Sequence, residues 1–262
     1  MNVAPPRLIS IRGLSMVYRD PADGSTVRAL DDFNLEIRSK EFIAFLGPSG
    51  CGKTTLLKII GGLIAPTDGH VEIDGRPVTG PGDGRAIVFQ NFALLPWATV
   101  LANITFGLEL RGVGKNEREA EAHRLIRTFG LEGFAHSYPR QLSGGMQQRV
   151  GLARALAVNP EILLMDEPFS ALDAQTRRML QEELLALLDR EPKTVVFVTH
   201  SMDEAVRLAD RIVLMTPRPG SVKEIIEVPF GHPRPDHFEK DPRYIELIDD
   251  LWEALREMVW NR

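Results

Sequence analysis

The feature that most constrains the fold of this chain is a glycine-rich turn between an apolar segment and a helical one. The turn reads GPSGCGKTT, at residues 47–55, and it overlaps the end of the apolar segment EFIAFLG. The pattern G-x-x-x-x-G-K-[ST] in this position predicts a loop in which backbone N–H groups and the positive end of a helix surround phosphate oxygens. A tight glycine turn that binds nothing is the alternative interpretation. The sequence therefore favours a nucleotide-binding loop at the end of a buried strand.

The chemistry of each loop residue suggests its role. Lys53 would reach the β- and γ-phosphates, the Thr54 hydroxyl would hold Mg²⁺, and Thr55 would add a phosphate contact. We interpret Cys51 as a small filler of the loop, although a thiol near a helix N-terminus can also be redox-active. The other residues expected to contact the phosphates are Gly47, Pro48, Ser49, Gly50 and Gly52, together with Cys51.

The pattern of apolar residues predicts an α/β fold. Short apolar runs without alternation, expected of strands covered on both faces of a parallel sheet, occur at residues 41–47, 85–90, 161–167 and 194–200. Segments 7–18 and 33–39 alternate with period two, which predicts an antiparallel piece at the start of the chain. Between Gln90 and Glu161 the spacing is helical. We therefore expect an inserted helical lobe at about residues 91–160.

Two carboxylates follow one of the predicted buried strands. In ILLMDEP, Asp166 and Glu167 come directly after four apolar residues, which places them near the phosphate loop if the strands are neighbours. Asp166 would bind Mg²⁺, directly or through water, and Glu167 would act as general base or orient the attacking water. His200 ends the strand VFVTH and would contact the γ-phosphate or that water. A histidine at a strand end is more often structural, but the two nucleotide motifs favour the functional role.

A second glycine turn occurs in LSGGMQQRV, at residues 142–150. Its two adjacent glycines open a predicted helix and leave backbone N–H groups uncovered, as in the phosphate loop. The turn has no lysine. Its residues resemble part of a phosphate site without completing one.

The C-terminal third predicts two amphipathic helices. Residues 173–190 carry a core-facing leucine stripe, at Leu180, Leu184, Leu187 and Leu188. Residues 231–262 read as a proline-rich linker followed by a helix with Asp241 as N-cap and Pro242 in its first turn. This tail helix either docks on its own domain or contacts a partner. Its predicted apolar stripe is Tyr244, Ile248, Leu251, Trp252, Leu255 and Val259.

Charge and composition exclude several classes of partner. The formal net charge of −5 predicts no broad cationic face, so nucleic acid is not expected as a ligand. A single cysteine cannot form an internal disulfide, and the first residues lack a secretory signal, which favours a reducing cytoplasm. No window approaches the ~20 consecutive apolar residues needed to cross a bilayer. Any membrane role would require a separate spanning partner.

Six motifs occur together in the order and approximate spacing of the nucleotide-binding subunits of ABC transporters. They are GPSGCGKTT, Gln90, LSGGMQQR, ILLMDEP, SALD at residues 170–173, and His200. The chain resembles this family from Ile9 to about Val228. The resemblance implies an ABC ATPase domain at residues 7–230 that uses ATP and Mg²⁺. The implied fold is an α/β P-loop NTPase with a RecA-like mixed sheet, an N-terminal antiparallel β subdomain and an inserted helical subdomain.

The resemblance also implies roles for individual residues. Tyr18 would stack on adenine, its alternative being a half-buried strand tyrosine, and Gln90 would be the hinge glutamine that senses Mg²⁺ and the γ-phosphate. Asp173 would contribute to nucleotide binding. Two subunits would meet head to tail, so that the lysine-free turn of one, at Ser143, Gly144 and Gly145, covers the γ-phosphate held by the other. The commonest family pattern has glutamine where this chain has Met146, but the backbone donors of the turn remain.

Finer detail implies a subgroup and a set of partners. The string LLPW after Gln90 is similar to importers of nitrate, aliphatic sulfonates and taurine. Such a subunit would sit peripherally on the cytoplasmic face of the inner membrane, where residues 92–110 would help form the groove that receives a short helix of the integral membrane permease subunits. The alternative for any single residue of this segment is packing in the core of the helical lobe. A solute-binding protein would be an indirect partner, and the second ATPase subunit would be an identical copy or a paralogue.

Other ABC proteins are alternatives to an importer subunit. Soluble ABC ATPases of DNA repair or chromosome organisation usually carry a long coiled coil or a zinc-bearing insertion between the two ATP motifs, and this chain shows neither. Those of translation usually carry two cassettes, whereas this chain has one set of motifs. A single-cassette ATPase of a scaffold or assembly system, and an exporter ATPase, remain open. A GTPase or small-molecule kinase does not explain LSGGMQQR.

Overall fold

The computed structural model describes residues 9–260, without the side chains of residues 259 and 260. The described chain divides into two compact units: the first contains the residues up to Gly82 and from Lys193 onward, and the second spans Asp83–Pro192. Arg7 and Leu8 of the first predicted strand, and the side chain of Val259 in the predicted tail stripe, lie outside the described parts. The predicted domain boundaries at residues 7–230 and 91–160 stay predictions.

Ten strands and seven α-helices make up the described chain. The strands are β1 (Ile9–Arg19), β2 (Thr26–Ile37), β3 (Phe42–Leu46), β4 (Asp68–Ile73), β5 (Arg76–Pro77), β6 (Arg85–Val88), β7 (Ile162–Asp166), β8 (Thr194–Thr199), β9 (Arg211–Met215) and β10 (Val222–Glu227). The helices are α1 (Lys53–Ile60), α2 (Val100–Leu110), α3 (Lys115–Thr128), α4 (Gly144–Ala157), α5 (Ala174–Arg190), α6 (Met202–Leu208) and α7 (Pro242–Trp260). In the described part of the chain, none of the helices has the length and apolar character that crossing a bilayer requires.

The first unit contains two sheets. An antiparallel sheet has the strand order β2, β1, β4, β5, as predicted for the start of the chain. Strands β9, β3 and β8 run parallel to one another, and β10 pairs antiparallel with β9. All residues of β3, β8 and β9 are buried, which explains their lack of alternation. The rings of Phe33 in β2 and Phe45 in β3 lie 6.1 Å apart and join the two sheets into one core.

The second unit combines a parallel strand pair with helices. Strand β6 pairs with β7, and between them lie α2, α3 and α4, which pack against one another. Each predicted helical segment between Gln90 and Glu161 is confirmed. Helix α5 follows β7, and three of its four predicted stripe residues are buried, while Leu188 is half-buried.

Four strands were not predicted from the sequence, and one begins earlier than expected. Strand β2 begins at Thr26 rather than near Phe33, because its exposed first residues pair with β1 through the backbone. The unpredicted strands are β4, β5, β9 and β10. Strands β4, β5 and β10 are largely exposed, so their side chains carry little periodic signal. Strand β9 is fully buried and its sequence contains an apolar run, so this strand could have been predicted in the same way as β3 and β8.

The tail helix α7 docks on its own unit, with one correction to its predicted stripe. Tyr244 and Leu251 are buried, and Ile248 and Leu255 are half-buried, as expected. The Asp241 Oδ1 atom accepts a hydrogen bond from the Arg243 backbone N–H at 2.9 Å, as expected of an N-cap residue. Trp252 is 57% exposed, so its assignment to the stripe was wrong. Successive residues of a helix are rotated by about 100°, so the eight residues from Tyr244 to Trp252 place the tryptophan roughly 80° around the helix from the tyrosine. Leu247, which was not assigned to the stripe, is buried instead.

A buried ion pair connects the start of β9 with the residue before β3. The Arg211 guanidinium donates to Glu41 Oε1 at 2.9 Å, and both side chains are almost fully buried. Glu41 Oε2 also accepts from the Arg38 backbone N–H at 2.6 Å. The pair therefore links the start of β9 to the residue that precedes β3, the strand that leads to the phosphate loop.

Replacing Arg211 with methionine should lower the free energy of unfolding by about 3–5 kcal/mol, because the Glu41 carboxylate is then buried without its partner. Adding Glu41→Gln should recover most of this loss, since it removes the unpaired charge. Urea denaturation measures both effects. The control is Arg12→Met, which breaks an exposed 3.9 Å contact with Glu36 and should cost less than about 1 kcal/mol. A double variant as unstable as Arg211→Met alone would contradict this account.

Candidate nucleotide-binding site

The phosphate loop is built by β3 and α1 of the first unit. Strand β3 ends at Leu46, and α1 begins at Lys53 with Gly52 as its N-cap residue. Gly50 and Gly52 have φ angles of 75° and 105°, a left-handed region that glycine enters without steric cost. Because the N-cap residue has no side chain, the first N–H groups of α1 receive no side-chain cap from it. They are therefore suited to an anion.

The Lys53 side chain is buried and bends back over the loop. Its ammonium Nζ donates to the carbonyl oxygens of Gly47, at 2.7 Å, and Pro48, at 3.0 Å. These contacts place the positive charge among the backbone atoms of the loop. Ser49 and Thr54 are exposed, so a ligand can reach the loop and the Thr54 hydroxyl.

Cys51 is buried beneath the loop. Burial raises the pKa of its thiol, and the nearby Lys53 charge opposes this shift only in part. A buried thiol with a raised pKa is a poor nucleophile. This environment agrees with the interpretation of Cys51 as a small filler.

A second turn braces the phosphate loop from behind. A Cβ added at Gly220 would lie 2.0 Å from the carbonyl oxygen of Cys51, so no larger residue fits there without moving the loop. The Gly220 N–H donates to the Ala29 carbonyl at 2.9 Å, and its carbonyl accepts from the Asp31 N–H at 3.1 Å. A Cβ at Gly52 would lie 2.8 Å from the same Ala29 carbonyl. Sequence analysis missed Gly220, although the string PRPG is a turn signal.

His200 and Tyr18 lie beside the phosphate loop in the first unit. Leu46 pairs with Thr199 in the parallel ladder of β3 and β8, so Gly47 and His200 leave the sheet at the same end. His200 is exposed. The hydroxyl oxygens of Tyr18 and Thr55 are 3.2 Å apart, and Tyr18 is 42% exposed. Both predicted residues therefore flank the loop.

The second unit places three predicted residues at the ends of two paired strands. Val88 pairs with Met165, and Gln90 and Asp166 follow within two residues of this pair. Asp166 is buried, whereas Gln90 is exposed. Glu167 is half-buried and has a φ of 45°, an uncommon value for a residue with a long side chain. The strand pairing thus brings Gln90 close to the two carboxylates.

Arg154 fixes the turn that follows Gln90. It lies on α4, and its guanidinium donates to the carbonyl oxygens of Phe92 and Ala93, both at 2.7 Å. Burial lowers the pKa of Arg154. Phe92 and Ala93 have positive φ angles of 59° and 43°, so the arginine contacts stabilise a strained turn. Sequence analysis missed this residue, and no sequence pattern pointed to it.

The lysine-free turn begins helix α4 of the second unit. Ser143 is the N-cap residue, and its Oγ accepts a hydrogen bond from the Met146 N–H at 3.3 Å. A Cβ added at Gly145 would lie 3.0 Å from Thr176 Cγ2, so the turn packs closely against α5. Asp173 caps α5 by accepting from the Thr176 N–H at 3.0 Å, and this contact lowers the pKa of Asp173. Ser143, Gly144 and Asp173 are exposed.

The predicted site residues thus form two groups, one in each unit. The first unit brings together the phosphate loop, Tyr18 and His200. The second contains Gln90 with the two carboxylates at the end of β7, and the glycine turn at α4 beside Asp173. Each group offers chemistry that suits a nucleotide phosphate or its metal ion.

Comparison with known proteins shows which family has this arrangement. A family model described as ABC transporter matches residues 30–170. An uncharacterized ABC transporter ATP-binding protein of Methanocaldococcus jannaschii is 60% identical over 226 residues, which cover 86% of this chain and 84% of that protein. This chain belongs to the ABC transporter family. The ABC subunit is also 49% identical to a taurine import ATP-binding protein of Pseudomonas entomophila over 249 residues, or 93% of this chain and 95% of that protein.

Solved ABC cassettes share the fold. A dimeric ABC transporter cassette has a TM-score of 0.76 and 36% identity, covering 84% of this chain and 98% of its own. A dimeric cassette in a post-hydrolysis state, bound to ADP and Pi, has a TM-score of 0.75. These relationships confirm the predicted P-loop NTPase fold, the ATPase activity and the subgroup that contains the taurine import proteins. The roles of individual residues stay predictions.

Gly220→Ala should weaken ATP binding by about tenfold or more, because the added methyl group displaces the Cys51 carbonyl and thereby the phosphate loop. Titration with a fluorescent ATP analogue measures the affinity. Gly231→Ala is the matched control, since nothing lies within 4 Å of its added Cβ. Equal affinities of the two variants would refute the bracing role of Gly220.

Proposed function

We propose that this ABC ATPase powers a membrane importer of a small anion or organic solute and works as a head-to-tail dimer with two shared ATP sites. The observation that carries the proposal is the presence of two glycine turns at helix N-termini, of which only the first has a lysine. Ser143 and Gly144 of the second turn are exposed, so a nucleotide held by another subunit can reach them. The incomplete turn has a function if it completes the site of its partner.

In this proposal the first unit binds the nucleotide. The loop residues 47–55 surround the β- and γ-phosphates through backbone N–H groups, and the Lys53 ammonium moves from the loop carbonyls to the phosphates. Tyr18 stacks on the adenine ring beside Thr55. His200 contacts the γ-phosphate from the end of β8. Its exposure and its place beside Gly47 support this role.

The residues assigned to magnesium suit the ion by their chemistry. Thr54 offers a hydroxyl, Asp166 a carboxylate and Gln90 an amide oxygen, and such hard oxygen ligands fit Mg²⁺. When bound, the ion neutralises charge on the β- and γ-phosphates. Asp166 is supported by a fully buried strand, which limits the movement of its carboxylate.

Glu167 is the proposed general base. A base of this kind accepts a proton from the attacking water and orients the water toward the γ-phosphate. The unusual backbone conformation of Glu167 fixes where its side chain leaves the strand end. Replacement by glutamine keeps the size of the side chain and removes its basicity.

The lysine-free turn supplies the other half of each shared site. Ser143, Gly144 and Gly145 offer N–H groups and the positive end of α4 to a phosphate already neutralised by Lys53 and Mg²⁺ of the partner. The Ser143 cap is formed by the backbone N–H of Met146. The cap therefore does not depend on the side chain at this position, and methionine in place of glutamine leaves the turn intact.

Exposed apolar side chains on the second unit are the proposed contact with permease subunits. Trp97 is 74% exposed and Leu110 is 73% exposed, at either end of the segment that contains α2. Asn103 stiffens this segment through its side-chain amide. Its Oδ1 accepts a hydrogen bond from the Leu95 backbone N–H, and its Nδ2 donates to the carbonyl oxygens of Leu95 and Ala98. A rigid apolar surface suits a helix presented by a membrane protein.

The proposed setting is the cytoplasmic face of the inner membrane, with a solute-binding protein as an indirect partner. The 49% identity with taurine import proteins makes taurine and related sulfonates the first solutes to test, followed by nitrate. The second ATPase subunit is an identical copy or a paralogue.

Glu167→Gln should trap the ATP-bound dimer, because hydrolysis stops while ATP still joins the subunits. Light scattering in MgATP should show a doubled mass for this variant. Adding Ser143→Arg should return it to the monomer, since a bulky cation replaces the turn's contact with the partner's nucleotide. Glu183→Gln, a half-buried carboxylate on α5 paired with Arg149 at 3.1 Å, controls for loss of a charge elsewhere in the same unit. An unchanged mass for Glu167→Gln would refute the shared-site model.

Affinity purification from detergent-solubilised membranes should recover a polytopic membrane protein in equal amount with the tagged chain. Trp97→Glu should lose this partner, because a charge then lies on the apolar surface, while basal ATP hydrolysis continues. Trp252→Glu, also an exposed tryptophan, is the matched control. Recovery of soluble partners alone would favour the scaffold alternative, and outward transport in reconstituted vesicles would favour the exporter.

A further inference from the structure

We propose that residues 230–251, here named the tail clamp, set the position of His200 through hydrogen bonds to both ends of helix α6. Tyr244 and Arg234 would be positioning residues for ATP hydrolysis. The inference rests on the catalytic role proposed for His200. It gives a function to the C-terminal segment, which the ATPase motifs leave unexplained.

Helix α6 is tied closely to the backbone at His200. It begins at Met202, and its N-cap Ser201 accepts a hydrogen bond from the Glu204 N–H at 3.3 Å. The Thr199 hydroxyl donates to Glu204 Oε2 at 2.6 Å and accepts from the Ser201 N–H at 3.0 Å. These contacts close a network around His200. A shift of α6 along or about its axis therefore moves the histidine.

The first grip is at the start of α6. The Tyr244 hydroxyl donates to Asp203 Oδ1 at 2.7 Å, three residues after His200. Burial and the Asp203 charge raise the pKa of Tyr244, so its hydroxyl stays a donor. The ring packs edge-on against Phe238 at 5.4 Å, and Phe238 packs against Phe230 at 5.5 Å. The donor is thus held by an aromatic cluster of the tail clamp itself.

The second grip is at the end of α6. The Arg234 guanidinium donates to the carbonyl oxygens of Val206 and Arg207, both at 3.0 Å, and to that of Ala209. Carbonyls in the last turn of a helix have no partner within the helix, and Arg234 supplies one. Burial lowers the pKa of Arg234 to about 10, so it remains charged at neutral pH. Arg207 in turn pairs with Glu239 of the tail clamp at 2.8 Å.

These polar contacts fix the register of α6 rather than its attachment to the unit. Three of its apolar residues, Ala205, Val206 and Leu208, are buried, and the helix packs on β3 and β8. Apolar packing is non-directional, whereas hydrogen bonds at both ends define where along its axis the helix sits. The helix has only seven residues, too few to keep a fixed geometry alone. Displacements of about 1 Å at a catalytic group have large effects on rate.

Steady-state ATP hydrolysis tests the inference through the separation of kcat from KM. Tyr244→Phe removes one hydroxyl and keeps the ring; we expect kcat to fall about fivefold with KM for ATP unchanged. Arg234→Lys should act in the same direction. Asp203→Asn, which keeps an acceptor for Tyr244, should retain nearly the full rate. Trp252→Phe is the matched control, because Trp252 is an exposed ring on α7, the helix that also carries Tyr244.

A double-mutant cycle with His200→Ala decides whether the tail clamp acts through the histidine. If it does, Tyr244→Phe causes no further loss of kcat in the His200→Ala background. Independent, multiplying losses would overturn the inference, as would a wild-type kcat for Tyr244→Phe beside a slow His200→Ala enzyme. A wild-type rate for His200→Ala itself would instead overturn the catalytic role in the proposed function.

Discussion

The structure depends on a loop whose backbone must stay open to phosphate while the chain around it is tightly packed. Such a loop cannot be stabilised from its front, because that face belongs to the ligand, so it has to be supported from behind. Gly52 lies against the Ala29 carbonyl of β2, and Gly220 allows the Cys51 carbonyl to approach a second turn closely. The supporting residues are far apart in the chain and meet only after both sheets of the first unit have formed.

Strand register decides where the reacting groups can be. In the first unit, the pairing of Leu46 with Thr199 sets Gly47 beside His200. In the second unit, the pairing of Val88 with Met165 sets Gln90 close to Asp166 and its neighbour. Because a parallel ladder advances both strands together, a shift of one residue would move every one of these groups to the wrong level and face. The buried apolar residues of the strands therefore affect function indirectly, because they fix the strand register that aligns the reacting groups.

The backbone N–H and carbonyl groups at helix ends find different partners in different parts of the molecule. Uncapped N–H groups at α1 suit a phosphate, whereas Ser143 and Asp173 cap α4 and α5. At the C-terminal end of α6 the unpartnered carbonyls receive the guanidinium of Arg234 instead. One physical requirement, that the backbone groups left over at helix ends find partners, therefore links the nucleotide loop, the lysine-free turn and the tail clamp.

The sequence by itself determined the family, the buried strands β3, β7 and β8, and the residues of the motifs. These depend on local order: G-x-x-x-x-G-K-[ST], four apolar residues before Asp166, and a glycine pair at the start of α4. It also predicted the tail helix, but it assigned Trp252 to the buried stripe. Only the tertiary structure revealed Gly220, Arg154 and the grip of Tyr244 and Arg234 on α6. These residues act on backbone or side-chain atoms distant in sequence or not marked by any motif. Their partners are defined by packing and register, which no local pattern encodes.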